Sequence, residues 1–344
     1  MIFEQVRNGG CLSYIIGCPE THAAILIDPN REQSENYLAL VARNGLRVQY
    51  VLDTHTHADH FSSSQSLSKQ LGVPVIMHRN SVAPFVGLSV DDGESVKLGK
   101  LRLNILSTPG HTEDSMCIVL QDRIFTGDTL LIGGTGRTDL PTGDPDKLYD
   151  SLFNGILQLA PDLKVFPAHD YRNQSSSTLA QEMATNPRLR KKERSAFVEQ
   201  MRALDLEMPT HLTEALRTNR SGAITIDQLI SDAAAKVSFM SMQELRRRLE
   251  AGFKDLVVLD VREGNAYTEC RIPGALSIPR GQLELRVNEL LPDPTQRIVV
   301  YCELGKISTL AAATLHEIGF RRTVALDGGF QAWKQAGYPL APST

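Results

Sequence analysis

The chain has 344 residues, with 36 Lys and Arg against 40 Asp and Glu, a formal net charge of −4. That length fits about two domains, each able to bury a core. The charge balance argues against nucleic acid as the main partner. The 42% apolar and 22% charged composition excludes wholesale disorder, collagen and coiled coil, and no apolar run approaches the roughly 18 residues that cross a bilayer.

The N-terminal segment has no apolar stretch ahead of a cleavage site, so a cytoplasmic protein is expected. Ala23 to Ile27 reads as a buried strand stopped by Pro29. Gln33 to Asn44 has helical spacing and stops at Gly45. Val48 to Leu52 is a strand that runs into a cluster of histidines. Leu67 to Leu71 ends a helix at Gly72, and Val73 to Met77 is the next strand. Further strands are expected at Leu101–Leu106, Met116–Leu120, Arg123–Thr126 and Leu163–Phe166. Residues 176 to about 205 read as helical, with five basic residues from Arg188 to Arg194 as a solvated face. A linker is expected over 223–236. From Val237 onward, strands at Leu256–Asp260, Ile298–Tyr301 and Thr323–Leu326 alternate with helices at Met242–Leu249 and Ser308–Ile318. That alternation implies a small parallel α/β sheet.

Polar clusters follow the strands of the first half. They are Thr54-His55-Thr56-His57-Ala58-Asp59-His60, Pro109-Gly110-His111, Gly127-Asp128-Thr129 and Ala168-His169-Asp170-Tyr171. Four loops thus offer imidazole and carboxylate ligands, suited to divalent iron or zinc, and no thiolate. His22, His78, His211 and His316 lack such context and are expected to be structural. The five cysteines, Cys11, Cys18, Cys117, Cys270 and Cys302, are odd in number and form no C-x-x-C pair, which disfavours a disulfide framework or a zinc knuckle. Cys302 stands out: Val299-Val300-Tyr301-Cys302-Glu303-Leu304-Gly305-Lys306 places it at a strand end, where loop N–H groups and a helix N-terminus converge on the sulfur.

The histidine and aspartate motifs resemble the metallo-β-lactamase superfamily over residues 1–222. The resemblance implies an αββα sandwich. All seven ligand positions of that superfamily's dinuclear site are present: His55, His57 and His111 for one metal, Asp59, His60 and His169 for the other, and Asp128 bridging. Gly134 to Asp139, Ala168 to Tyr171 and Asn186 to Leu189 are similar to the persulfide dioxygenase group within it. That group implies one Fe(II) per chain, held by His55, His111 and Asp128. His57, Asp59, His60 and His169 are then left around the metal or in an unused second site. Arg137, Tyr171 and Arg220 are candidates for substrate binding, Arg137 through a forked pair to a glutathione carboxylate. An internal ion pair to Asp139 or Asp144 is the structural alternative for Arg137.

Residues 237–344 resemble rhodanese: the Cys302 loop, Leu259 to Glu263, Arg271 to Ala275, and Leu326 to Trp333 carry the likeness. The resemblance implies a catalytic Cys302 in a small α/β domain with a parallel sheet. Two departures stand in this chain. Cys270-Arg271 replaces the usual Gly-His, and Ile307 with Glu303 makes the loop poorer in polar and cationic groups, so either slow thiosulfate turnover or preference for another sulfur donor is expected. Together the resemblances imply oxidation of glutathione persulfide by O2 to sulfite and glutathione, fused to sulfur transfer between thiosulfate and glutathione. Neither nucleic acid nor membrane is an expected partner, and a homodimer is an admissible assembly. The alternative is a glyoxalase II-type dinuclear zinc thioester hydrolase with a non-catalytic rhodanese-like module.

Overall fold

The computed structural model describes residues 1–208, 212–252 and 255–342; His211 lies outside them. The chain divides into two compact units, Met1–Ala223 and Ile224–Thr344. In the first, strands β1 (Ile2–Asn8), β2 (Cys11–Gly17), β3 (Ala23–Ile27), β4 (Arg47–Leu52), β5 (Val75–His78) and β6 (Val86–Val90) form one sheet in sequence order. Helices α1 (Ser34–Arg43) and α2 (Ser64–Leu71) interrupt it. Then come β7 (Ser95–Leu98), β8 (Leu101–Ser107), β9 (Met116–Val119), β10 (Arg123–Gly127), the two-residue strands β11 (Leu130–Leu131) and β12 (Gly134–Thr135), α3 (Pro145–Tyr149), β13 (Lys164–Pro167), β14 (Ser177–Thr178), α4 (Leu179–Thr185), α5 (Arg194–Arg202) and α6 (Leu212–Ser221). The second six-stranded sheet runs β14-β13-β10-β9-β8-β7.

Alternating side chains explain the layers. Tyr14, Ile16, Ile25 and Ile27 point into a core shared with Leu103, Ile105, Ile118, Phe125 and Phe166 of the other sheet. Ile15 and Leu26, one residue out of phase, pack with Tyr37, Val41 and Leu67 of α1 and α2. Cys117, Ile124 and Val165 pack outward with Leu148, Leu179, Phe197 and Met201 of α3 to α5. Helix, sheet, sheet, helix is the αββα sandwich.

The second unit contains α7 (Ile226–Ala234), β15 (Ser238–Met240), α8 (Met242–Glu250), β16 (Leu256–Asp260), α9 (Gly264–Glu269), β17 (Cys270–Arg271), β18 (Leu276–Ser277), α10 (Leu283–Leu290), β19 (Arg297–Tyr301), α11 (Lys306–Glu317), β20 (Thr323–Leu326), α12 (Gly329–Gln335) and β21 (Ala341–Pro342). Its sheet, β15-β20-β19-β16-β18, is parallel throughout, as expected. One face packs Leu283, Val287, Ala311 and Leu315. The other packs Leu245, Phe330 and Trp333.

Two expectations need correction. The segment 223–236 is not an open linker: Thr225 caps α7 through Gln228 N, and α7 packs on α11 of the second unit. The basic run Arg188 to Arg194 is not a helix face either. Asn186 and Pro187 break the chain into a 3-10 turn at Pro187–Leu189, and α5 begins only at Arg194.

Candidate metal centre and cysteine loop

Each ligand loop begins where a strand ends. The Thr54–His60 segment follows β4, His111 lies between β8 and β9, Asp128 follows β10 and His169 follows β13. This convergence brings His55, His111 and Asp128 together, with one donor atom from each within 4.8 Å of the others. Asp128 Oδ2 lies 3.6 Å from His111 Nε2 and 4.0 Å from His55 Nε2.

Partners on the far side of each ring set the tautomers. His111 Nδ1 donates to Arg137 O at 2.9 Å, which leaves a lone pair on Nε2. Thr54 Oγ1 donates to Asp28 Oδ2 and so accepts from His55 Nδ1, both at 2.9 Å. His55 Nε2 is buried without a hydrogen-bond partner. Burial and the neighbouring His57 push the His55 pKa down to about 3, so the ring is neutral. Burial works against charge on Asp128, but His169, His55 and His111 hold it well below the usual carboxylate range. Two imidazole Nε2 atoms turned toward one carboxylate, with both Nδ1 atoms already partnered, fit a divalent cation, iron included.

The other four positions are placed differently. His57 Nε2 faces Asp28 at 3.2 Å and Asp53 at 3.8 Å. His169 is held between two carboxylates, with Nδ1 2.7 Å from Asp128 and Nε2 2.7 Å from Asp59. His60 Nδ1 lies 3.3 Å from Asp59, and Cys11 Sγ sits 3.7 Å from the same oxygen. His57 Nδ1 and His60 Nε2 are buried and unpartnered.

A cavity of about 350 Å3 opens over His111 and Asp128, lined also by Asp59, His169, Arg137, Tyr171, Leu206 and Glu207. Arg137 faces this cavity, but its guanidinium is forked onto Asp139 at 2.6 Å and donates to the carbonyls of Glu207 and Leu206. The Tyr171 ring stacks on His169 at 5.9 Å and is 78% exposed. Arg220 does not join them: it lines a different cavity of about 150 Å3 with Thr56, Asn80 and Asp114.

Several site residues carried no signal in the sequence. Asp28 adopts φ +49° and accepts from Thr54 N at 2.7 Å. Asp114 accepts from Thr56 Oγ1 and Thr112 Oγ1 at 2.5 and 2.7 Å, tying two ligand loops together. Asn219, next to Arg220, donates to the carbonyls of His57 and His60 at 2.9 and 2.8 Å. Their partners lie up to 162 residues away in sequence, so no local pattern reveals them. Asp170 is structural, bound to Arg7 at 2.9 Å.

In the second unit Cys302 follows β19 and is 3% exposed. Its Sγ accepts from Ser308 N, in the first turn of α11, at 3.2 Å. Gly305 takes φ +85° to turn the loop into α11. Phe330 N and Gln331 N donate to the carbonyls of Cys302 and Glu303 at 2.8 and 3.0 Å. The start of α12 thus holds the cysteine loop. Glu303 is ion-paired to Arg262 at 3.3 Å.

The family model described as "Metallo-beta-lactamase superfamily" matches residues 6–169, and "Rhodanese-like domain" matches residues 241–336. The chain is 38% identical over 221 residues to the mitochondrial persulfide dioxygenase ETHE1 of Homo sapiens, covering 63% of this chain and 85% of that protein. It is 34% identical over 192 residues to a hydroxyacylglutathione hydrolase of Polaromonas sp. JS666, covering 53% and 72%. The crystal structure of ETHE1 from Myxococcus xanthus superposes with a TM-score of 0.63 at 39% identity, covering 64% of this chain and 98% of that one. Sandwich, ligand loops and relatives agree: the chain belongs to the persulfide dioxygenase family of the metallo-β-lactamase superfamily, followed in the same chain by a rhodanese-like domain.

Proposed function

We propose that the first unit oxidises glutathione persulfide with O2 and water to sulfite and glutathione at one Fe(II) held by His55, His111 and Asp128. The second unit moves sulfane sulfur between thiosulfate and glutathione through a persulfide on Cys302. The observation that carries the reading is the group of two histidines and one carboxylate at the foot of a cavity, in a unit 38% identical to a persulfide dioxygenase. Iron bound there supplies the O2 chemistry that no side chain offers. The protein supplies shape and orientation. Arg137 O aims His111, and Thr54 with Asp28 aims His55. Arg137 reaches a glutathione carboxylate only by exchanging Asp139, whereas the exposed Tyr171 hydroxyl needs no such exchange. Leu131, Leu140 and Leu206 give the cavity an apolar wall. Five free thiols suit a reducing compartment such as the cytoplasm.

A dinuclear zinc thioester hydrolase is the second reading. His57 Nδ1 and His60 Nε2, open and buried, favour it, as does the likeness to a hydroxyacylglutathione hydrolase. O2 consumption with glutathione persulfide on iron-loaded protein, together with metal analysis, separates the two. One iron and O2 uptake are expected; two tightly bound zincs and thioester cleavage without O2 uptake overturn the first reading.

A further inference from the structure

Arg262 sets the charge balance at the Cys302 loop. Its Nε and Nη2 meet both oxygens of the fully buried Asp260 at 2.7 to 3.1 Å, and Nη2 also donates to Cys270 O at 2.7 Å. Its Nη1 donates to Glu303 Oε2 at 3.3 Å, and the guanidinium lies 3.8 Å above the Phe330 ring centroid. Nε, Nη1 and Nη2 are all engaged, so no forked face remains for a sulfonate. One positive charge stands against two carboxylates. Lys306, the exposed first residue of α11, adds a single point charge and no fork. The same loop also presents apolar side chains to solvent: Leu304 is 61% and Ile307 50% exposed.

We propose that Glu303 determines donor specificity. Held by Arg262 next to Cys302, it disfavours the thiosulfate dianion and leaves organic persulfides as preferred donors, with the organic carrier lying on Leu304 and Ile307. The inference rests on the sulfurtransferase reading above. An organic persulfide carries one negative charge at its sulfur end, and its leaving group is a thiolate. Cys302 Sγ attacks the outer sulfur; the Sγ–S bond forms as the bond between outer and inner sulfur breaks. The electron pair leaves on the inner sulfur, which takes up a proton as the free thiol. No external oxidant or reductant is needed.

The test uses the full iron-loaded chain under anaerobic conditions. The rate of one-sulfur addition to Cys302 is followed by quenched-flow intact mass spectrometry, with Cys302→Ser as background. Wild type should react faster with glutathione persulfide than with thiosulfate. Glu303→Gln should speed the thiosulfate step about tenfold, the order expected for removing one charge a few ångströms from a dianion near a protein surface. The persulfide step should change only about threefold, because it senses one charge rather than two and the repulsion is halved. Glu303→Asp should keep the wild-type preference. Added salt should speed thiosulfate more in wild type than in Glu303→Gln, since the variant has one repulsion fewer to screen. An unchanged donor ratio in Glu303→Gln, or thiosulfate as the faster donor in wild type, overturns the specificity role alone. No adduct from either donor overturns the sulfurtransferase reading with it.

Discussion

Asp128 is the residue on which the metal centre turns. Both its oxygens receive His169 Nδ1, and Oδ2 also faces His55 and His111. It is the one charged ligand of its group, so Asp128→Ala should lose nearly all iron by elemental analysis. His169→Ala removes a partner of Asp128 and should weaken iron binding about 10- to 100-fold, the usual cost of a lost outer partner. At micromolar protein most iron should then remain; equal loss in both variants would show His169 to be a ligand. Asp170 gives a pH test. Burial raises its carboxyl, but the Arg172 N–H and the Arg7 guanidinium outweigh this and hold it below the usual carboxylate range. Its folded pKa is below its unfolded one, so this stabilisation is complete above about pH 4 and is lost as pH falls through the folded value. Asp170→Asn should flatten the acid limb of a urea-midpoint profile below about pH 4.

Helices act on the two sites from outside the motifs. Asn219 of α6 satisfies two carbonyls of the histidine loop and accepts from Ser62 N at 3.1 Å. Asn219→Ala leaves those buried carbonyls unpaired at about 1–3 kcal/mol each. A lower melting temperature and weaker iron retention are expected, and Asn219→Asp should not rescue, because a carboxylate has no proton to donate. Gly329 opens α12 at φ +65°, where a Cβ would lie 2.6 Å from Gly305 N and 2.7 Å from Cys302 O. Gly329→Ala should displace the cysteine loop and slow Cys302 persulfidation about 10²-fold, the scale of an ångström-sized misplacement. O2 consumption should be untouched; loss of both activities would mean that the loop is not what the glycine protects.

Each unit has its own core, so the two chemistries should separate in the intact molecule. Cys302→Ser replaces a sulfur nucleophile with a hydroxyl of very high pKa and should abolish transfer from thiosulfate to glutathione. O2 use with preformed glutathione persulfide should persist. Asp128→Ala should do the reverse. A two-by-two assay of both variants on both reactions decides it; if Cys302→Ser loses most O2 use while keeping its iron, the roles are not divided this way.

Strand periodicity, the spacing of histidines and aspartates at strand ends, and the glycine-flanked Cys302 loop are local patterns, readable in sequence because chemistry and turn geometry each demand certain residues at short range. They led directly to the parallel α/β sheet of the second unit; the αββα sandwich and the grouping of His55, His111 and Asp128 followed from the family resemblance those motifs carry, and the structure puts one donor atom of each within 4.8 Å of the others. Charge and composition were overruled at one place by a neighbouring local signal and at another by long-range packing. Asn186 and Pro187 broke a helix that charge alone suggested, and α7 found a core partner where polar composition suggested a linker. Tertiary structure alone decided that Arg137 is paired to Asp139, that Arg220 faces another cavity, and that Asp28, Asp114 and Asn219 hold the ligand loops. For Arg137 the sequence held both options, with Asp139 two residues away, and the fold chose between them; for Asp28, Asp114 and Asn219 a buried hydrogen bond depends on which groups the fold brings within about 3 Å, and partners 26, 58 and 162 residues apart leave no trace in a local pattern.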